Sequence, residues 1–108
     1  MGKYKLKGII KEITSNSSNY AIKIIGTTNY FAEFDKTKYN LLWDSSTKSA
    51  KAIELSQNYL VDIKDAIMIN LINACYANSK LIELVINEDL KDPKNPIYTI
   101  ESITALSK

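Results

Sequence analysis

The chain has 108 residues and a mass of 12.2 kDa, one domain's worth of protein, and is read as a single domain over residues 1–108. Hydrophobic residues make up 45% and charged residues 24%, which suits a packed core and not a disordered tail. Its 14 cations are all lysine, there is no histidine, the net charge is +2, and no apolar run approaches the ~20 residues needed to span a bilayer.

Residues 4–13, YKLKGIIKEI, alternate as a strand does, with Tyr4 and Leu6 on one face until Gly8-Ile9-Ile10 breaks the phase. A glycine at a phase change marks a bulge or a barrel corner. Thr14 to Asn19 is a polar turn. Residues 20–25, YAIKII, read as a second strand and residues 30–35, YFAEFD, as a third, with Gly26 to Asn29 turning the chain between them. Tyr39 to Trp43 extends or covers the sheet. Ser45 to Ser49 is a polar loop that could cap a short helix over residues 50–58.

Helical spacing is clearest over residues 62–78, with Asp62 as the N-cap and Asp65 in the first turn. Ile63, Ile67, Leu71, Ala74 and Cys75 share one face, and Met68, Ile69, Ile72 and Tyr76 cover most of the other side. A helix apolar nearly all round is normally buried all round. A small domain has one sheet to offer it, so Met68, Ile69, Ile72 and Tyr76 are the expected interface with a second copy. The alternative cover is Tyr39 to Trp43, the 50–58 segment or a chain terminus. A fourth strand follows at 80–87, then a loop from Glu88 to Asn95 and a fifth strand at 97–105; Pro93 and Pro96 exclude a regular helix in that connection. Three strands, a helix and two strands, mainly β with a glycine-bent first strand, suggest a five-stranded Greek-key barrel of the OB type. That fold hosts oligosaccharide and oligonucleotide binders alike.

Without histidine the chain lacks the usual general base near neutral pH and the commonest transition-metal ligand. Ser-His-Asp and Cys-His arrangements are excluded, and Cys75 cannot close an intramolecular disulfide. Gly2, Gly8 and Gly26 are too scattered to form a phosphate-cradling loop. The carboxylates Glu12, Glu33, Asp35, Glu54, Glu83, Glu88 and Glu101 read as solvated strand and loop positions. The expectation is a protein that binds and does not catalyse, with no cofactor and no metal. The richness in lysine, isoleucine and asparagine fits an AT-rich, bacterial genome. Met1-Gly2-Lys3 runs directly into a strand-like segment with no apolar leader. A cytoplasmic protein fits this start, and so does a secreted one whose leader is not part of the chain.

Two patches resemble the cell-binding B subunits of bacterial toxins whose B subunits form a pentameric ring, the cholera, pertussis and typhoid type. One runs from Ile63-Lys64-Asp65-Ala66 through Ala74-Cys75-Tyr76-Ala77-Asn78-Ser79-Lys80 into Leu81–Val85. The other is Ile9–Ile13, the Thr/Ser-rich turn, then Tyr20-Ala21-Ile22-Lys23. Pro93 to Leu106 is similar in layout to the last loop and strand of the cholera-type subunit. The resemblance implies an OB fold, a homopentameric ring, a catalytic toxin subunit as partner, and recognition of a cell-surface glycan. The chain departs from the family in four ways. It lacks the internal disulfide, and Ile86 stands near the sugar-stacking tryptophan of the cholera type. It has no clear match for the serine upstream of the first strand, and residues 36–61 exceed the family's strand-to-helix connection.

Lys23 is the candidate partner of an acidic sugar carboxylate, as the resemblance implies, or a solvated strand lysine. Tyr20, Tyr30 and Phe31 suit stacking on sugar rings or bases, or else fill the barrel core, the commoner place for such residues. Trp43, the one tryptophan, is a ligand platform or a core cover. Lys3, Lys5, Lys7 and Lys11 make a possible phosphate-attracting stripe or a solvated strand face. The runner-up functions are a cytosolic OB protein binding single-stranded nucleic acid, and a small interaction or immunity-type protein docking through its helix.

Overall fold

The structure is a computed structural model that describes residues 2–27 and 37–106. Its elements are β1 (Gly2–Ser15), β2 (Tyr20–Gly26), β3 (Tyr39–Asp44), β4 (Ser49–Glu54), β5 (Tyr59–Val61), α1 (Ala66–Ala77), β6 (Leu81–Asp89) and β7 (Ile97–Ala105). Five of the strands close on themselves in the order β1-β2-β5-β7-β6 and back to β1. Every pairing in this ring is antiparallel except β5 with β7. The result is a closed five-stranded barrel of OB type with the helix between its third and fourth strands. The hairpin β3–β4 is an insertion on this barrel, paired to β1 through Trp43 and Lys5.

Long strand β1 makes closure possible. Its first half pairs with β6 and its second half with β2, and Gly8 is matched to both Ile82 and Gly26. A Cβ at Gly8 would lie 2.3 Å from the Ile25 carbonyl oxygen and 2.6 Å from Ile24 Cγ2. Only glycine lets the neighbouring backbone come this close. The bulge itself falls two residues later, between Ile10 and Glu12, and leaves Lys11 unmatched.

The expected third strand, 30–35, lies outside the described residues. The strand that takes the third place in the barrel is the short β5, whose residues fall between the helices expected over 50–58 and 62–78. The helix expected over 50–58 is overturned: Ser49–Glu54 is strand β4, paired along its length with β3. Asp44 Oδ1 accepts from the Ser46 and Thr47 amides at 2.9 and 3.3 Å, and Lys48 takes the left-handed region at φ 53°. The same Asp/Ser chemistry serves a helix cap or a turn. A strand partner on the far side of the turn decides for the hairpin.

Helix α1 begins later than expected. Asp65 is the N-cap, accepting from the Met68 amide at 3.0 Å, while Asp62 closes the turn before it by accepting from the Lys64 amide at 2.9 Å. The helix ends in a Schellman arrangement: Ser79 sits at φ 48°, its amide reaches the Tyr76 carbonyl, and the Lys80 amide reaches the Cys75 carbonyl at 2.9 Å.

The helix faces differ from the sequence reading. Ile72 and Cys75 are buried in the barrel core, and Met68, Ile69 and Leu71 pack against it. Ile72 is covered entirely by its own chain and offers nothing to a second copy, and Met68 and Ile69 are largely spent on the barrel. Ile67 is 86% exposed, Ile63 48% and Tyr76 46%. The stripe 68-72-75 lies opposite Asn70 and Asn73 on the helical wheel, so the two asparagines mark the outward side.

The two barrel ends are closed by different elements. At the start of β2 the helix supplies Ile72 and Cys75, and Tyr20 donates its hydroxyl to Asn73 Oδ1 at 3.0 Å. At the other end, where β2 finishes and β5 begins, the hairpin contributes Leu42 and Ile53 to the core.

Candidate functional site

The barrel end under the hairpin holds the densest polar chemistry among the described residues. Strand β6 alternates inward through Ile82, Leu84 and Ile86, and the next inward position is Glu88, only 3% exposed. Sequence reading ended that strand at Asn87 and placed Glu88 in a solvated loop. Continuing the period-2 alternation by one more step would have found it.

Glu88 is directly opposite Tyr98 on β7 and Gly2 on β1. Tyr98 donates its hydroxyl to Glu88 Oε2 at 2.8 Å, and Tyr4 reaches Oε1 at 3.5 Å. Lys51, from β4, donates its ammonium to Oε2 and lies 5.9 Å from the centre of the Tyr98 ring. Gly2 makes room for this set, since a Cβ there would meet the Tyr4 ring at 2.7 Å.

Burial pushes the Glu88 carboxyl up, but the Lys51 and Tyr98 hydrogen bonds win and hold it below its ordinary range. Burial alone would lower Lys51; the bond to Glu88 and the neighbouring Tyr98 raise it instead. Tyr98 and Tyr4 are both raised, first by burial and then by the Glu88 carboxylate. Every shift moves a group away from neutrality, whereas a proton shuttle needs one near pH 7. The cluster therefore acts as a fixed electrostatic clamp. A second polar bridge runs beside it: buried Asn40 accepts from the Gly26 amide at 2.7 Å and donates to the Tyr59 hydroxyl at 3.2 Å. Tyr59 in turn packs edge-on to Tyr98, with ring centres 6.2 Å apart. Both bridges fasten the inserted hairpin to barrel strands.

The sequence-predicted ligand residues do not converge. Tyr20 is buried, with its ring in the core and its hydroxyl on Asn73, so it cannot stack on a ligand. Tyr30 and Phe31 lie outside the described residues. Lys23 is half-buried on the outer face of β2, 3.8 Å from the Glu12 carboxylate. Trp43 is half-buried on β3, opposite Lys5. Lys23 and Trp43 thus stand beside β1 at Glu12 and Lys5, separated by roughly 23 Å of strand.

What the fold does bring together is Trp43 with the lysines of β1. Leu6 and Gly8 point inward, so Lys3, Lys5 and Lys7 occupy the exposed outer face. One of these lysines meets a carboxylate, Lys3 pairing with Glu101 at 2.9 Å, while Lys7 holds the ladder position opposite Glu83. Directly opposite Lys5, among the described residues, stand the uncharged Trp43 and Val85. The face therefore holds an indole and a cation beside the Lys3–Glu101 ion pair, with Glu83 opposite Lys7 and Asn87 opposite Lys3. Among the described residues no group of three or more His, Cys, Asp or Glu side chains could hold a metal ion, and no helix is long and apolar enough to cross a membrane. No protein-family model, curated protein or solved structure matches the chain.

Proposed function

We propose that this protein is a non-catalytic OB-type binding module that recognises a glycan on the outer face of β6, β1 and β3, with Trp43 as the stacking platform and Lys5 as the polar anchor. The observation that carries the reading is the register pairing of Trp43 with Lys5, beside the Lys3–Glu101 ion pair. Sugar recognition uses an aromatic surface with a few hydrogen-bonding groups around it. A phosphate-tracking surface needs uncompensated cations, and the carboxylates of Glu83 and Glu101 work against one. Self-association belongs to the same reading. The exposed aliphatic side chains of Ile63 and Ile67, with Tyr76 on the other flank of α1, are the surface on which copies would meet to form a ring.

The test is a glycan array followed by titration of the best oligosaccharide, read through the fluorescence of the single tryptophan. Saturable binding is expected, with Lys5→Ala weakening it about tenfold (~1.4 kcal/mol) and Trp43→Phe by less than loss of the ring would cause. No glycan binding, together with single-stranded oligonucleotide binding at ~50 mM salt that falls steeply as salt rises, would overturn it in favour of nucleic acid. Light scattering reports the ring, and a strict monomer would remove it.

A further inference from the structure

The clamp at the barrel end has an asymmetry of origin. Its walls, Tyr4, Glu88 and Tyr98, come from barrel strands β1, β6 and β7, and its cation comes from the inserted hairpin. The barrel supplies a buried carboxylate, a phenol donating to that carboxylate at 2.8 Å, a second phenol at 3.5 Å, and an aromatic ring 5.9 Å from the ammonium. This is the acceptor and ring set that recognises an alkylammonium: one anion, and a π-face for the positive charge. We propose that Tyr4, Glu88 and Tyr98 form a primary-ammonium-binding site of the barrel, which the chain fills in cis with Lys51.

The Lys51 side chain is 40% exposed, so the site opens to solvent along the lysine stem while the carboxylate beneath stays 4% exposed. Glu88 is the one buried charge among the described residues. A buried carboxylate without its cation is strongly unfavourable, so emptying the site creates a demand for another ammonium. The inference does not depend on the glycan face, which lies on the outside of the barrel.

The experiment uses the full chain with Lys51→Ala, which removes the equivalent of one propylammonium. Thermal unfolding is followed with n-propylammonium chloride, against 1-propanol and sodium chloride. The variant is expected to melt below the wild type and to regain at least half of that difference in a saturable way. Half-saturation should be millimolar, the range open to so small a ligand. The wild type should not respond, and neither should the double variant with Glu88→Gln. No saturable rescue, equal rescue by 1-propanol, or rescue that survives Glu88→Gln would overturn the proposal. A second measurement needs no variant: in the wild type the Lys51 ammonium protons should exchange with water at least tenfold more slowly than those of Lys3, and equal rates would overturn it too.

Discussion

Replacing Gly8 by alanine tests how the barrel closes. The added methyl would sit 2.3 Å from the Ile25 carbonyl oxygen, about 1 Å inside ordinary van der Waals contact, and 3.0 Å from the Ile25 carbonyl carbon. The obstacle is backbone, so no side-chain rotation relieves it. Strands β1 and β2 must part at the Gly8–Gly26 position, where the barrel ring is joined. Overpacking of this kind costs about 1–3 kcal/mol, and weakening one or two ladder hydrogen bonds adds about 1 kcal/mol each. Reduced freedom of the unfolded chain returns about 0.4–1 kcal/mol. The net expectation is a loss of about 2–3 kcal/mol, or a Tm lower by roughly 10–20 °C at ~4–8 °C per kcal/mol. Urea unfolding followed by circular dichroism measures it. Gly26→Ala is the comparison: its Cβ meets only Asn40 Oδ1 closely, at 2.9 Å, with everything else at 3.5 Å or beyond. A loss of about 1 kcal/mol is expected there. If Gly8→Ala stays within ~0.5 kcal/mol of wild type, or Gly26→Ala proves the worse of the two, the account of closure is refuted.

Asn40→Ala should destabilise by about 2–4 kcal/mol, because it strips the Gly26 amide and the Tyr59 hydroxyl of their buried partner at once; a change below ~1 kcal/mol in urea melts would mean that water replaces the amide. The clamp also sets a pH signature. The folded pKa of Glu88 lies below its ordinary value of 4.5, so its contribution is complete above that pH and is lost as pH falls through the folded value. Lys51 is raised above 10.5, so its contribution is present below that pH and lost as pH rises through its folded value. Tyr4, Tyr98 and, more distantly, Asp44 are the other ionisable groups acting on the cluster. Glu88→Gln should therefore flatten the acid limb of a Tm-against-pH curve while lowering stability by about 1–2 kcal/mol at neutral pH; an unchanged acid limb would place the pH dependence elsewhere.

The barrel strands that alternate cleanly were legible because burial on one face leaves a period of two. β2 shows Tyr20, Ile22 and Ile24 inward, and β6 shows Ile82, Leu84 and Ile86. What misled was chemistry with two local solutions. Asp44 and the following serines cap a helix as readily as they close a turn, and nothing within Ala50–Glu54 says that Tyr39–Asp44 waits to pair with it. β5 is three residues long, too short to show a period at all. In α1 the apolar residues outnumber the places the barrel can hide, so counting greasy faces placed Leu71, Cys75 and Tyr76 as the structure has them but exchanged Ile67 and Ile72. The two asparagines, few as they are, carried the more reliable signal.

The site was less legible than the fold for a related reason. A ligand face is made of residues far apart in sequence, and register decides which of them meet. Lys23 and Trp43 are each ligand candidates by residue type, yet β1 holds them apart, at Glu12 and at Lys5. Lys5 looked like one lysine among four until the ladder placed Trp43 beside it and gave Lys3 to Glu101. The hairpin has a further consequence. The helix fills one barrel end with Ile72 and Cys75, and the insertion fills the other with Leu42, Ile53 and the cation of Lys51. Among the described residues both ends are thus taken by the chain itself, so the proposed glycan recognition falls to the outer surface, where Trp43 of the insertion lies against β1 opposite Lys5.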